Sequence, residues 1–530
     1  MTSLPPAPPS TPAFTERITA DDVDAIVDDI SRAYARALDD AAKGTSWDGV
    51  FGTTLRALGR ASEASARATL PAMTHRDRDV RERSTKAKDA LKMMFDGTFA
   101  RREVYEAMRA VGTNDAPDEE ARRASEHLMR EFERNGAALS EAKQRTLMEK
   151  LGEIESLCSS FCEALNEDAT CVEYVEEELE GVDVGAYAEG DAKGTRRVGL
   201  IAPDMMPVLQ FAKRPETRRR MAEAKARQCQ ELNTDRFLRV VELRNECARM
   251  LGYESHAEYM LKPKMAGTPA RAEAFLRDLL VKAEGRLAKD LADLQRLKDA
   301  EEGADAGTIQ SWDVAYYSTK YKATLGVDEA KIREYFPLEH VKSEILSTYQ
   351  NLLGLEFTRA DAEVWHEEVE CYSVREADGD RRVLGFFYLD LFPRPGKYSH
   401  QCVYPLRPSF TDGDDVTTAA CVNIGNLSKP GEDGAPALLR FREVETFFHE
   451  FGHVMHCVLS ESKYSVHAWA WSAVPWPGGV EQDFLEVPSM MLENFVWQPE
   501  VLRRLSKHHV TGERLGDDDI AALSASRGAL

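Results

Sequence analysis

The stretch EVETFFHEFGHVMHCVLS, residues 443–460, combines a helical apolar pattern with three histidines and a glutamate in its middle. His449 and His453 are four residues apart, so they lie one above the other on the same face of a helix. Phenylalanine, valine, methionine and leucine fill most of the other central positions. Burying imidazoles and a carboxylate among such side chains is costly unless they are paired. The stretch therefore predicts a buried helix that binds a metal ion.

Two imidazoles on one face of a fixed helix favour Zn2+ as that ion. Glu450 follows the first histidine and lies about 100° further around the helix. It can therefore reach a water molecule beside the ion and act as a general base without being a ligand. The alternative is that HEFGH arises by chance in a helical scaffold that binds no metal.

A catalytic zinc site has three protein ligands and one open position. The segment EQDFLEVPSMMLENF predicts an amphipathic helix that offers Glu481, Glu486 and Glu493. Spacing alone favours Glu486 or Glu493, which share a face, over Glu481 and leaves the choice between the two open. His456 is a further candidate, but it lies roughly 10 Å along the helix from His449. We expect it to have a supporting or packing role.

The composition limits the classes of function. The chain has 530 residues, and 91 acidic against 68 basic side chains give a net charge of −23. This excess argues against non-specific binding of nucleic acids and against docking on anionic membranes, and no apolar run is long enough for a membrane span.

Nine scattered cysteines are typical of reduced thiols. We expect a cytoplasmic monomer; a mitochondrial location is less favoured because no basic residue precedes Arg17.

From about residue 20 to 300 the apolar residues recur at helical spacing. One long amphipathic helix is predicted at 269–302, where Leu280, Leu287 and Leu294 are one heptad apart. Such a helix is typical of packing within its own domain. A dimerising coiled coil is the alternative, although it requires a longer repeat.

Between residues 357 and 425 short β-rich segments broken by Gly, Pro and Asp predict a small antiparallel sheet just before the histidine helix. The Gly- and acid-rich segment 181–194 predicts a surface loop. The fold class is therefore mainly α. We divide the chain into a disordered Pro-rich tail (1–19), an N-terminal helical region (20–165) and a catalytic region (166–530).

Several motifs carry a resemblance to a known family. HEFGHVMH followed by EQDFLEVPSMMLENFVW resembles the thimet oligopeptidase and neurolysin family of zinc metallopeptidases, which includes oligopeptidase A. GFFYLDLFPRPGKYSHQC and GNLSKP are similar to the segments that precede the zinc helix in that family. WDVAYY, REYFPLEHV, LLGLEF, ARMLGYESHAEYML and LNEDAT fit as well, and the likeness extends over about residues 20–530.

The resemblance implies a two-lobed neurolysin-like zincin fold with a deep channel that admits short peptides. It identifies Glu486, in LEVPSM, as the third ligand of one Zn2+ beside His449 and His453, and Glu450 as the general base. The implied function is that of a zinc-dependent metalloendopeptidase that hydrolyses short oligopeptides.

Two departures from the family pattern bear on this function. The segment AWAWSAVPWPGG, residues 468–479, is longer than the family's linker and predicts either an altered channel wall or a surface insertion. The sequence also ends at SASRGAL, where family members continue into a Tyr-rich segment that supplies donors to the tetrahedral intermediate. It therefore predicts a chain truncated at its C-terminus, and the alternative function is that of a catalytically impaired zinc- and peptide-binding protein.

Overall fold

A computed structural model describes residues 14–15, 17–303, 305, 307–326, 328–378, 382–431, 434–468 and 479–527. Most of the predicted tail lies outside these residues, as does nearly all of AWAWSAVPWPGG, so both interpretations stay predictions. Phe14 is buried, and its ring packs edge-on against Trp365 and Tyr388.

The described chain is mainly helical, as predicted. Several helices begin at side chains that accept hydrogen bonds from the first turn: Thr19 forms a capping box with Asp22, and the Thr268 hydroxyl accepts from the backbone N–H of Arg271. In chain order the helices are α1 (Ala20–Ala41), α2 (Thr53–Thr69), α3 (Pro71–Thr74), α4 (Arg78–Thr98), α5 (Arg102–Val111), α6 (Glu119–Arg134), α7 (Glu141–Asn166), α8 (Ala202–Phe211), α9 (Pro215–Ala226), α10 (Gln230–Met250), α11 (His256–Leu261), α12 (Pro269–Glu302), α13 (Ser311–Thr324), α14 (Glu329–Arg333), α15 (Leu338–Leu353), α16 (Phe441–Val458), α17 (Val487–Glu493), α18 (Pro499–Leu505) and α19 (Asp517–Arg527). None of the described helices is long and apolar enough to cross a membrane.

The strands are short and fall into three sheets of the described chain. They are β1 (Cys171–Val175), β2 (Ala188–Glu189), β3 (Thr195–Gly199), β4 (Leu355–Arg359), β5 (Glu370–Glu376), β6 (Val383–Asp390), β7 (Cys402–Arg407), β8 (Phe410–Asp412), β9 (Asp415–Thr417) and β10 (Ala419–Ile424).

The chain divides into two compact units. The first contains the described residues of Met1–Ser140 and Glu329–Leu515, and the second those of Glu141–Asp328 and Gly516–Leu530. The first unit holds the histidine helix α16. The boundaries that the sequence places at residues 19 and 165 stay predictions.

The first unit contains a five-stranded sheet in the order β4-β5-β6-β10-β7. The sequence predicts an antiparallel sheet, but β10 pairs with β6 in parallel. Strands β6 and β7 run in opposite directions, so β10, which lies between them, is parallel to β6 and antiparallel to β7. Side chains on one face of the sheet, among them Tyr388, form an apolar cluster with Trp365. Phe387 on the other face lies edge-on to Phe451 of α16.

The second unit has its own small core and corrects two expectations. Strands β1, β3 and β2 form a sheet in a region whose texture predicts helices, and β2 lies within the segment predicted as a loop. Helix α12 forms as predicted, but its leucines are not all packed. Leu294 is buried, whereas Leu280 is 58% and Leu287 is 53% exposed.

Candidate metal centre

Helix α16 is buried along most of its length because its apolar side chains face the sheet and the helices around it. It begins with a capping interaction in which the backbone N–H of Arg440 donates to the Glu443 carboxylate at 2.7 Å. The Tyr349 hydroxyl of α15 donates to the Phe448 carbonyl at 2.7 Å. The second contact anchors the residue that directly precedes His449.

Helix α17 crosses α16 at a glycine. A Cβ atom at Gly452 would lie 2.8 Å from Cα of Ser489, so only glycine permits this approach. The sequence predicts a helix over all of EQDFLEVPSMMLENF, but the helix begins at Val487, and Glu486 is the residue before it. The physical reason is Pro488, which is favoured in the first turn of a helix and unfavourable further inside.

Three candidate ligand atoms meet between these helices. Oε2 of Glu486 lies 3.4 Å from Nε2 of His449 and 3.1 Å from Nε2 of His453. All three atoms lie within 4.8 Å of one another, and this is the one such group of three His, Cys, Asp or Glu side chains among the described residues. Two nitrogen atoms and a carboxylate oxygen form the donor set of many catalytic zinc sites. The residues present therefore fit a metal ion with an open position.

Glu450 lies beside this group and is 9% exposed. Burial raises the pKa of Glu450 to about 7; the charge of His449 opposes the rise, and that of Glu486 adds to it. The backbone N–H of Val403 on β7 faces the carboxylate and lowers its pKa in turn. A carboxylate with a pKa near neutrality can both accept and release a proton at neutral pH.

Two further side chains hold the candidate ligands in place. Oε2 of Glu493 lies 3.0 Å from Nδ1 of His449, on the side of the ring away from Glu486. The Ser489 hydroxyl donates to Oε2 of Glu486 at 2.9 Å. The sequence offers Glu493 as a candidate ligand, but the structure places its carboxylate against Nδ1 of the candidate ligand His449 instead. Neither Ser489 nor the Val403 N–H was predicted: a serine in a first turn is common, and a backbone group leaves no signal in the sequence.

The remaining sequence candidates lie outside the group of three. Glu481 and His456 contribute no atom to it. The ring of His456 lies 6.1 Å from that of Phe484, and burial together with His453 lowers the pKa of His456 to about 4. Cys457 is buried, and its thiol lies near that of Cys421 on β10.

Comparison with known proteins identifies a peptidase family. Residues 208–529 match Peptidase family M3. The chain is 31% identical over 456 residues to the thimet-like oligopeptidase of Dictyostelium discoideum, which covers 82% of this chain and 66% of that protein. It is 32% identical over 431 residues to saccharolysin of Saccharomyces cerevisiae, covering 77% of this chain and 59% of that protein.

The chain thus spans 59 to 66% of the length of these two curated relatives. Among solved structures, PZ peptidase A with inhibitor 2 is similar with a TM-score of 0.46 and 13% identity, covering 92% of this chain and 70% of that one.

Proposed function

The chain belongs to peptidase family M3, and from this premise we propose that it is a zinc-dependent endopeptidase that hydrolyses short oligopeptides. The observation that carries the proposal is the convergence of His449, His453 and Glu486 beside the buried Glu450. The names of two relatives, a thimet-like oligopeptidase and an oligopeptidase A, support peptides as the substrate class.

In this proposal His449, His453 and Glu486 would hold the zinc ion through the three atoms that converge there. A Zn2+ ion bound there would lower the pKa of water to about 7 and polarise the scissile carbonyl group. Glu493 keeps the ring of His449 oriented by its contact at Nδ1, and Ser489 keeps the Glu486 carboxylate oriented.

Glu450 moves the proton. Its carboxylate accepts a proton from the attacking water and passes it to the nitrogen of the leaving amine. The burial that raises its pKa suits both roles, because the group is then neither a strong acid nor permanently charged.

The proposal also covers the location, the oligomeric state and the binding partners of the enzyme. We place the enzyme in the cytoplasm as a monomer, with short peptides as its partners and with neither nucleic acid nor membrane as a ligand. Its nine cysteines are all free, which suits a reducing compartment.

The proposal is tested by zinc analysis and peptide cleavage on the same purified chain. We expect about one zinc ion per chain, cleavage of an internally quenched peptide of about the size of bradykinin, loss of cleavage with a chelator, and recovery on adding zinc. Binding of zinc and peptide without turnover would select the impaired peptide-binding protein instead. No stoichiometric zinc would mean that HEFGH is accidental here.

A further inference from the structure

Trp497 forms a hydrogen bond that the proposed mechanism does not use. Its indole Nε1–H donates to Oε1 of Glu445 on α16 at 2.7 Å. Its ring also lies edge-on to that of Phe441, with 4.8 Å between the ring centroids. Glu445 and Phe441 lie one turn apart on α16. Trp497 therefore fastens the segment that follows α17 to the helix that carries the two histidines.

The contacts between α16 and this segment share one register. They are those of Ser489 with Gly452, of Glu493 with His449 and of Trp497 with Glu445. From one contact to the next the residue number rises by about one helical turn on the first side and falls by about one turn on α16. The two segments are therefore antiparallel, and the bond of Trp497 lies one turn from the contact at Nδ1 of His449.

Glu493 lies where a helix holds its side chains least firmly. Helix α17 has only seven residues, and Glu493 is the last of them. A helix this short has little stability of its own, and helix ends fray. The 3-10 turn Asn494–Trp497 follows directly, and the indole bonds its last residue to α16. Trp497 thus anchors the end of the helix that presents Glu493.

Packing around Glu493 itself does not fix its carboxylate, because the side chain is 25% exposed. Its Oε2 atom nevertheless lies 3.0 Å from Nδ1 of His449. A carboxylate at this nitrogen orients the ring of a metal-binding histidine only while it is held in place. The anchor one turn further along the chain supplies that restraint.

We propose that Trp497 is a positioning residue for the metal centre and that it acts through Glu493. The bond from the indole to Glu445 holds the end of α17 against α16 and so keeps the Glu493 carboxylate at Nδ1 of His449. The ring of His449 then points its Nε2 atom toward the other two candidate ligands. The proposal rests on the proposed function, because it assumes that His449 binds zinc through Nε2.

The test removes the bond from each end and measures zinc affinity by competition with a chelator of known affinity. Trp497→Phe keeps a ring beside Phe441 but lacks the indole N–H, and Glu445→Met keeps the length of the side chain but lacks the acceptor. We expect each to weaken zinc binding by about 3- to 10-fold, less than the roughly 10- to 100-fold typical of a direct outer-shell partner. Glu445→Gln keeps an acceptor oxygen and should stay within about twofold of the wild type by the same reasoning.

A double-mutant cycle separates positioning through Glu493 from a contribution to folding alone. In a Glu493→Ala chain no carboxylate is left to be placed, so adding Trp497→Phe should change the zinc affinity by less than about twofold. A tryptophan that only stabilises the fold would change it by the same factor in both backgrounds. The absorption spectrum of bound Co2+ is a second readout, and Trp497→Phe should shift it in the same direction as Glu493→Ala.

Trp47→Phe is the matched control, since the indole N–H of Trp47 donates to the hydroxyl of Ser125 on α6 at 2.8 Å. Its loss should lower the stability against urea and leave the zinc affinity at the wild-type value. Wild-type affinity in Trp497→Phe and Glu445→Met, or an equal effect of Trp497→Phe with and without Glu493, would overturn the proposal alone. A wild-type chain that binds no zinc would overturn the proposed function as well.

Discussion

Two carboxylates contact the same imidazole from opposite sides. Glu486 lies against Nε2 of His449 and Glu493 against Nδ1. Only one nitrogen of a ring can bind the metal while the other carries the proton, so the two carboxylates should contribute differently. Glu486 also touches His453, whereas Glu493 does not belong to the group of three.

We therefore expect Glu486→Gln and Glu493→Gln to differ in zinc affinity. Loss of the supporting Glu493 charge should weaken binding by about 10- to 100-fold. Loss of the Glu486 ligand charge should weaken it by more than that. Chelator competition at fixed pH measures both constants. A larger loss in Glu493→Gln than in Glu486→Gln would reverse the assignment of ligand and supporting group.

The sequence pattern predicts only part of this metal centre. The spacing of His449 and His453 suffices to put both on one helical face, and the resemblance, not the spacing, selects Glu486 over Glu493. What cannot be read from spacing is the side from which another element approaches. The contact of Glu493 with Nδ1 and that of Val403 with Glu450 depend on that approach.

The crossing of α16 and α17 decides where Glu486 lies. The helices touch at Gly452 and Ser489, where a side chain larger than hydrogen does not fit. An isolated glycine inside a helical pattern signals such a close approach, but it does not reveal the partner helix.

Gly452→Ala should separate the two helices, lower the stability of the fold and weaken zinc binding. Overpacking of this kind typically costs about 1 to 3 kcal/mol. Gly97→Ala on α4 is the control, because nothing lies within 4 Å of the added methyl group and alanine favours the helix by up to about 1 kcal/mol. Urea unfolding and zinc competition measure both variants. Equal effects of the two substitutions would refute the role of the crossing.

A buried group of charged side chains stabilises the end of β6. The buried carboxylate of Asp390 accepts hydrogen bonds from Arg394 at 2.6 and 2.7 Å and from Lys397 at 2.8 Å. Burial by itself would raise the pKa of Asp390, but these two cations outweigh it and hold the pKa below its ordinary value. The carboxylate thereby fixes the start of the loop that leads to β7.

Asp390→Asn should therefore destabilise the protein in a pH-dependent way. Because the folded pKa is depressed, the stabilisation is present above the unfolded pKa of about 4 and is lost as the pH falls through the folded pKa. We expect a loss of about 3 to 5 kcal/mol at pH 7, shrinking below about pH 4.

The measurement is urea unfolding over a pH series. Asp29→Asn is the control, since its pair with Arg32 is exposed and should contribute at most about 1 kcal/mol. A difference between wild type and Asp390→Asn that does not change with pH would contradict the assigned role of the charge.

The mainly α class and the position of the larger sheet could be predicted from the periodicity of apolar residues along the sequence. The small sheet of β1–β3 was missed because its strands carry few buried apolar residues; Tyr174 and Val198 are among those few. Heptad spacing likewise predicts a packed stripe on α12, but Leu280 and Leu287 remain exposed. Local sequence patterns predict that a helix or strand is amphipathic. They do not reveal which other part of the chain packs on its apolar face.

Zinc should stabilise the unit that contains both α16 and α17, because the ligands come from both sides of the helix crossing. The free energy gained on binding grows with the logarithm of free zinc and reaches about 4 kcal/mol at 1,000 times Kd. Thermal melts with zinc and with a chelator should therefore differ for the wild type. A His449→Ala/His453→Ala variant should melt at the same temperature in both, and an equal zinc response in it would argue against this site.

In the proposed mechanism Glu450 moves the proton at a zinc site built from His449, His453 and Glu486. The most direct test is the turnover of a quenched peptide by zinc-loaded Glu450→Gln beside zinc-loaded wild type, with Glu443→Gln on the same helix as control. We predict that Glu450→Gln keeps its zinc and loses about 100- to 10,000-fold in turnover, while Glu443→Gln cleaves as the wild type does. Wild-type turnover in Glu450→Gln with zinc still bound would contradict the claim.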